Sequence, residues 1–202
     1  MIEAIVFDFG NVIYRFDREL FLAKLAPHTD ISLEELFTRL YGSDIPRRYE
    51  TGAITSDEFF LLTCNQCGVS IPRHAFIEAF NSMFTPIPGM SELIRSLNGR
   101  YRLGLLSNTN EWHFEHTIRR ANVFGLFESV TLSYRVGEMK PGAGIYRDAL
   151  GQLNLPPERC VYVDDVREYA LAAADIGMKG IHFTTRESLI ESLREIGVTV
   201  SG

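Results

Sequence analysis

Cysteine is scarce: Cys64, Cys67 and Cys160 are the only three in 202 residues. A small, odd number excludes a disulfide scaffold and fits a reduced compartment. Positive charge is in the minority as well. Twenty Lys and Arg stand against 26 Asp and Glu, a formal net charge of −6. That balance argues against nucleic acid and anionic membrane as partners. It does not argue against small phosphates, which a few local cations and backbone N–H groups can hold. No apolar run is long enough to cross a bilayer. The N-terminus has no basic lead, and its apolar run stops at Asp8, so it does not read as a secretory signal. Internal repeats and low-complexity tracts are missing too. The expectation is a cytoplasmic protein of one domain, or one domain with an insertion.

What is present begins at Ala4-Ile5-Val6-Phe7, an apolar run that ends abruptly at Asp8, Phe9, Gly10 and Asn11. Four apolar residues running into turn residues read as a buried parallel strand. From about Asp17 to Phe84 the pattern is helical, with Leu33, Leu36, Phe37 and Leu40 at three- and four-residue spacing. Ser32 with Glu35, and Thr55 with Glu58, have the form of capping boxes. Pro72 is expected in the first turn of a further helix. Beyond Thr85-Pro86-Ile87-Pro88-Gly89, strands and helices alternate. Strands are expected at 102–106, 130–132, 160–163 and 180–183. Helices are expected at 90–97, 111–121, 145–153, 169–176 and 188–196. Repeated β-α-β units imply a parallel sheet with right-handed crossovers. The expected fold class is therefore α/β, a doubly wound parallel sheet with an inserted α-helical cap. The core takes residues 1–15 and 86–202, and the cap takes 16–85.

Three of the expected strands end in polar clusters: Asp8, then Ser107-Asn108, then Asp164-Asp165. Parallel strands of one sheet bring their carboxyl ends to one edge, where ligands of such sheets bind. Each cluster alone reads equally well as a helix cap; all three together point to a site. Gathering Asp8, Asp164 and Asp165 would raise their pKa values unless a cation compensated. A hard cation with oxygen ligands does so, and Mg²⁺ fits because it leaves positions for water and phosphate. Lys140, just before Pro141, would add a positive charge able to hold a phosphate oxygen.

The set Asp8-x-x-Asn11-Val12, Leu106-Ser107-Asn108-Thr109-Asn110, Met139-Lys140-Pro141 and Val163-Asp164-Asp165 resembles the haloacid dehalogenase superfamily of aspartate-nucleophile hydrolases. The resemblance covers the whole chain. Within the superfamily it is similar to the sugar phosphatases of the α-glucose-1-phosphate phosphatase type, whose first motif reads Phe-Asp-x-Gly-Asn-Val. The resemblance implies a Rossmann-like core and a Mg²⁺-dependent phosphatase. It assigns Asp8 as nucleophile and metal ligand, forming an aspartyl-phosphate that water hydrolyses. The Gly10 carbonyl and Asp165 would complete the metal ligands, with Asp164 in the metal's shell or joined to it through water. Ser107 and the Asn108 N–H would hold phosphate oxygens, and Lys140 would neutralise Asp8 and the phosphoryl group. Asn11, Arg47 and His113 are further candidates for substrate contact. The expected partner is a small phosphorylated metabolite, and the chain would be a monomer or homodimer.

Two positions depart from the superfamily pattern. Many of its phosphatases carry a second aspartate two residues after the nucleophile, which protonates the leaving alcohol. Here that position is Gly10. Either the leaving group is comparatively good, or another residue or water supplies the proton. Val166 and Tyr169 stand near where asparagines usually support the metal. Two other readings stay open: a metal-independent 2-haloacid dehalogenase, whose aspartate attacks carbon, and a non-catalytic binder that keeps the fold. Cys64 and Cys67 form a Cys-x-x-Cys without a second pair, and read as packing residues of a cap helix.

Overall fold

A computed structural model describes residues 1–200. Among them are seven strands: β1 (Ala4–Phe7), β2 (Tyr14–Phe16), β3 (Phe84–Pro86), β4 (Arg102–Ser107), β5 (Ser129–Leu132), β6 (Cys160–Asp164) and β7 (Lys179–His182). Five of these form one sheet in the order β5-β4-β1-β6-β7, every pair parallel. β1 is the centre of this sheet. The chain builds outward from it through β4 and β5, then crosses to β6 and β7 on the other side. The strand order therefore reverses at β1, and a ligand crevice opens at such a reversal, at the strands' carboxyl ends.

Alternation along the strands divides the core. Ile5 and Phe7 of β1, with Leu103, Leu105, Val161 and Val163, face the helices Met90–Leu97 and Arg186–Glu195. Ala4 and Val6, with Leu106, Cys160 and Tyr162, face the helices Ala143–Leu153 and Arg167–Asp175. Both faces are covered, so the central strand β1 is apolar and buried along its whole length, as a buried parallel strand must be.

The cap is helical: Arg18–Leu25, Leu33–Tyr41, Ile45–Glu50, Ser56–Cys67 and Arg73–Asn81. It has its own apolar cluster around Phe21, Leu36, Phe59, Phe76 and Phe80, with Trp112 reaching in from the core. Thr55 and Glu58 form a complete capping box. Ser32 caps its helix through Glu35 N–H, but the Glu35 side chain pairs with Arg39 instead of closing the box.

Several expected boundaries shift. Pro72 is the N-cap residue rather than part of the first turn. Pro141, which suits a first helical turn, lies ahead of its helix, whose N-cap is Gly142. The segment 111–121 divides into the helix Glu111–His116 and a 3₁₀ turn Ile118–Arg120, because Thr117 leaves helical geometry. The antiparallel pair β2–β3, which joins cap to core where the chain leaves and returns, was not expected from the sequence. Each of its strands has three residues, too few to show a period.

The sheet's edge is tightly packed. A Cβ on Gly180 of β7 would collide with the Ala170 carbonyl, whereas one on Gly151 would meet nothing. Gly180→Ala is therefore expected to destabilise by about 1–3 kcal/mol through overpacking. Gly151→Ala, inside a helix, should stabilise by roughly 0.5–1 kcal/mol. Thermal denaturation should show opposite shifts of Tm; shifts of the same sign would contradict this packing.

Candidate active site

Asp8 follows the last residue of β1, and its N–H donates to Val163 O (2.9 Å). That bond ties it to the end of β6, where Asp164 stands. Lys140 reaches the pair from the loop after Gly137. Its Nζ lies 3.0 Å from Asp8 Oδ1 and 2.6 Å from Asp164 Oδ2. All three residues are buried, Asp164 and Lys140 almost completely. Asn108 fixes the lysine's backbone from both sides. Its Oδ1 accepts from Lys140 N–H (2.8 Å), and its Nδ2 donates to Lys140 O (3.2 Å).

Asp164 has little capacity left. Its Oδ2 accepts from Lys140 Nζ and from the Tyr162 hydroxyl, and its Oδ1 accepts from Val166 N–H (2.8 Å). Asp165 is freer. Asn11 Nδ2 donates to its Oδ2 (3.1 Å). Asn11 itself sits at φ 53°, a conformation asparagine tolerates better than most residues. Its Oδ1 accepts from Phe16 N–H (2.9 Å). Asn11 thus links the turn after β1 to Asp165 and to β2, and its side chain is occupied in doing so.

Asp8, Asp164 and Asp165 each place a carboxylate oxygen within 4.8 Å of the others. Only one ammonium, Lys140, stands among them. Burial pushes the Asp8 carboxyl up to about 7, with Asp164 adding to the rise and Lys140 opposing it. Burial likewise raises Asp165, against the Asn11 hydrogen bond. Burial by itself would lower Lys140, but Asp8 and Asp164 outweigh it and hold the ammonium above its usual pKa. The cluster thus keeps its lysine charged and still has negative charge to spare. An all-oxygen donor set with that excess fits a hard divalent cation. Asp8 and Asp165 are the side chains with oxygens left to give it.

These groups line an inner chamber of about 230 Å³, together with Gly10, Asn11, Ser107, Asn108, Thr109 and Tyr169. A larger outer chamber of about 590 Å³ lies under the cap. Its walls include Leu40, Tyr41, Tyr49, Phe59, Phe80 and Met83, with Arg47 and Glu138 also on the lining. Six residues line both chambers: Phe16, Arg18, Glu50, His113, Met139 and Lys140. They mark the passage between the two.

The candidates divide accordingly. Asp8, Gly10, Asn11, Ser107, Asn108, Lys140 and Asp165 line the inner chamber, with Asp164 behind Lys140. His113 lies at the passage, buried and stacked on Phe80 (ring centroids 4.0 Å apart). Burial lowers its pKa to about 3, so it stays neutral. Arg47 lies on the outer chamber alone, exposed and away from Asp8. Tyr162 went unnoticed in the sequence, although a tyrosine in a buried strand needs a partner for its hydroxyl. Arg18 was missed as well, and Glu50 belongs to the segment Arg47-Arg48-Tyr49-Glu50, which reads as a substrate-facing loop only on account of its arginine pair. Space does not exclude a side chain at Gly10, where a Cβ would come no nearer than 3.8 Å to Phe16.

A family model for haloacid dehalogenase-like hydrolases matches residues 2–177. The chain is 26% identical to the sesquiterpene phosphatase astK of Aspergillus oryzae, over 96% of both proteins. It is 27% identical to a D-ribitol-5-phosphate phosphatase of Bacteroides thetaiotaomicron, covering 82% of this chain and 84% of that one. Another relative is longer, and this chain spans 37% of its length. Among solved structures, an enzyme of this family from B. thetaiotaomicron, in complex with magnesium and inorganic phosphate, superposes with a TM-score of 0.82. The identity is 23%, and the match covers 92% of this chain and 96% of that one. No helix of the described residues is long and apolar enough to cross a membrane.

Mg²⁺ should raise Tm by mass action, and Asp165→Asn should remove most of that shift. A protonated Asp8 cannot hold a cation, so the shift should shrink as pH falls through about 7. A metal shift unchanged by pH or by Asp165→Asn, measured by differential scanning fluorimetry, would contradict this site.

Proposed function

We propose that this chain, which belongs to the haloacid dehalogenase-like hydrolases, is a Mg²⁺-dependent phosphatase of a small phosphomonoester. The observation that carries the reading is the clustering of Asp8, Asp164 and Asp165, with the buried ammonium of Lys140 bridging Asp8 and Asp164. A site with that surplus of negative charge suits a cation and a phosphate together.

In this reading Asp8 attacks phosphorus and carries the phosphoryl group until water removes it. Lys140 stays charged between Asp8 and Asp164, where it steadies the nucleophile and meets a phosphoryl oxygen. Ser107 and the Asn108 N–H, at the end of β4, receive other phosphoryl oxygens. Asp8, Asp165 and the Gly10 carbonyl would hold the Mg²⁺. When bound, the ion supplies charge neutralisation and polarises the phosphoryl oxygens. The protein's own contribution is positioning and electrostatic stabilisation of a charge-rich transition state.

A 2-haloacid dehalogenase needs no metal, and the carboxylate pair at 164 and 165 would burden it. A non-catalytic binder would have no use for a nucleophile held 3.0 Å from a buried ammonium.

For the leaving group, a sugar or polyol phosphate is the first reading. It is supported by the polar residues Arg18, Arg47, Glu50 and Asn110 on the outer chamber and by similarity to a D-ribitol-5-phosphate phosphatase. A second reading, an apolar-tailed phosphate, is favoured by the aromatic and aliphatic wall of that chamber and by similarity to a sesquiterpene phosphatase.

A panel of sugar, polyol and prenyl monophosphates, assayed for phosphate release with Mg²⁺, tests both readings. Turnover should require the metal and fall by at least about 10³-fold in Asp8→Asn, since the covalent route is lost. Activity that survives Asp8→Asn or EDTA would overturn the reading.

A further inference from the structure

The passage between the chambers carries an inference beyond the identity of the nucleophile, and it rests on the phosphatase reading above. With phosphorus at Asp8, a leaving group too large for the inner chamber lies in the outer one. The bond that breaks then crosses the passage. Whatever protonates the departing oxygen must stand there, because position 10 has no side chain.

Six residues line the passage, and four of them carry ionisable groups: Arg18, Glu50, His113 and Lys140. Arginine does not give up its proton in a protein. Lys140 is held by two carboxylates at 2.6 and 3.0 Å, and giving up its proton would leave both uncompensated in the interior. His113 is stacked on Phe80, with Nδ1 facing Asn81 Oδ1 at 3.3 Å. It remains neutral, and a neutral imidazole is a poor acid. The carboxyl of Glu50 is the one that remains.

Glu50 is also held in place from the core. Its carbonyl accepts from Ser133 Oγ (2.6 Å), and the same Oγ accepts from Thr109 N–H (2.8 Å), two residues from Ser107. Two residues on, Gly52 at φ +69° lets the cap loop lie against the Tyr134 carbonyl, where a Cβ would collide. The cap segment bearing Glu50 is therefore fixed to the same loops that carry the phosphate-binding groups. A carboxyl carried into a chamber mouth on a fixed backbone is placed as a proton donor requires.

We propose that Glu50 is the general acid and base of this enzyme, supplied from the cap in place of a side chain at position 10. As Asp8 Oδ bonds to phosphorus, the bond from phosphorus to the leaving oxygen breaks. That oxygen takes the Glu50 proton and departs as an alcohol. The Glu50 carboxylate then takes a proton from water as the water oxygen attacks phosphorus. The Asp8–phosphorus bond breaks, inorganic phosphate leaves, and Asp8 is again a carboxylate and Glu50 again an acid. Burial also raises the Glu50 carboxyl to about 7, against the pull of Arg18 and Lys140, so both its forms are accessible near neutrality. Arg18, Tyr41, His113 and Lys140 are the titratable or charged groups from the surrounding elements that face it.

The test compares Glu50→Gln and Glu50→Asp with the parent protein, all with Mg²⁺, on 4-nitrophenyl, phenyl and benzyl phosphates. These leaving groups are of similar size and increasingly need a proton. Glu50→Gln should lose about 10²–10⁴-fold in kcat/KM on benzyl phosphate and much less on 4-nitrophenyl phosphate. The parent's decline on benzyl phosphate as pH rises through about 7 should disappear in Glu50→Gln. Glu50→Asp should recover part of the rate and keep the decline. Equal losses on all three esters, or no loss on any, would overturn the role of Glu50 while leaving Asp8 as nucleophile. A parent protein that hydrolyses none of the three would overturn the phosphatase reading, and this proposal with it. The Mg²⁺-induced rise in Tm shows that each variant is folded.

Discussion

The buried ammonium of Lys140 holds the site together. It touches Asp8 and Asp164, which stand at the ends of adjacent strands of the sheet. Among the described residues it is the one cation that pairs with either of them. Removing one partner of a buried pair typically costs about 3–5 kcal/mol, and here two carboxylates depend on one partner. Asn108 holds the lysine's backbone from β4, so three strand ends converge on one cation. The fold places them there because β1 lies between β4 and β6. The reversal of strand order at β1 is thus the geometric origin of the site, and Lys140 is its electrostatic condition.

The cap contributes in a different way. It adds nothing to the carboxylate cluster, but it builds the second chamber and closes part of the passage. Its interior is aromatic, around Phe59, Phe76 and Phe80, and Trp112 from the core packs into it. Cap and core are therefore joined by packing as well as by β2–β3. The tether from Ser133 to Glu50 makes a cap residue part of the core's polar network.

The carboxylate cluster was legible in the sequence because strand ends are legible. Apolar runs stopping at Asp8, Ser107 and Asp164 state both a secondary structure and a location. Lys140 was legible through its place between a strand and a helix. Glu50 and Arg18 were not, because no period or motif ties a helical insertion to a point above a sheet; only tertiary packing does. β2 and β3 escaped for a simpler reason, since three residues cannot show alternation. Asn11 was legible as a residue of the site but not in its role. Its side chain links Asp165 to the backbone of Phe16, which depends on a positive φ that the sequence does not announce. Gly10 gives the opposite lesson. Its missing side chain is plain in the sequence, whereas the cap residue proposed to act in its place is not.

In the proposed reaction Asp8 takes a phosphoryl group while Lys140, Ser107 and the Asn108 N–H hold its oxygens. A crystal structure with Mg²⁺ and beryllium fluoride, which mimics a phosphorylated aspartate, tests it directly. Beryllium is expected to bond to an Asp8 carboxylate oxygen, with fluorines on Lys140 Nζ, Ser107 Oγ and the Asn108 N–H. Beryllium on another carboxylate, or no adduct beside a bound Mg²⁺, would contradict it.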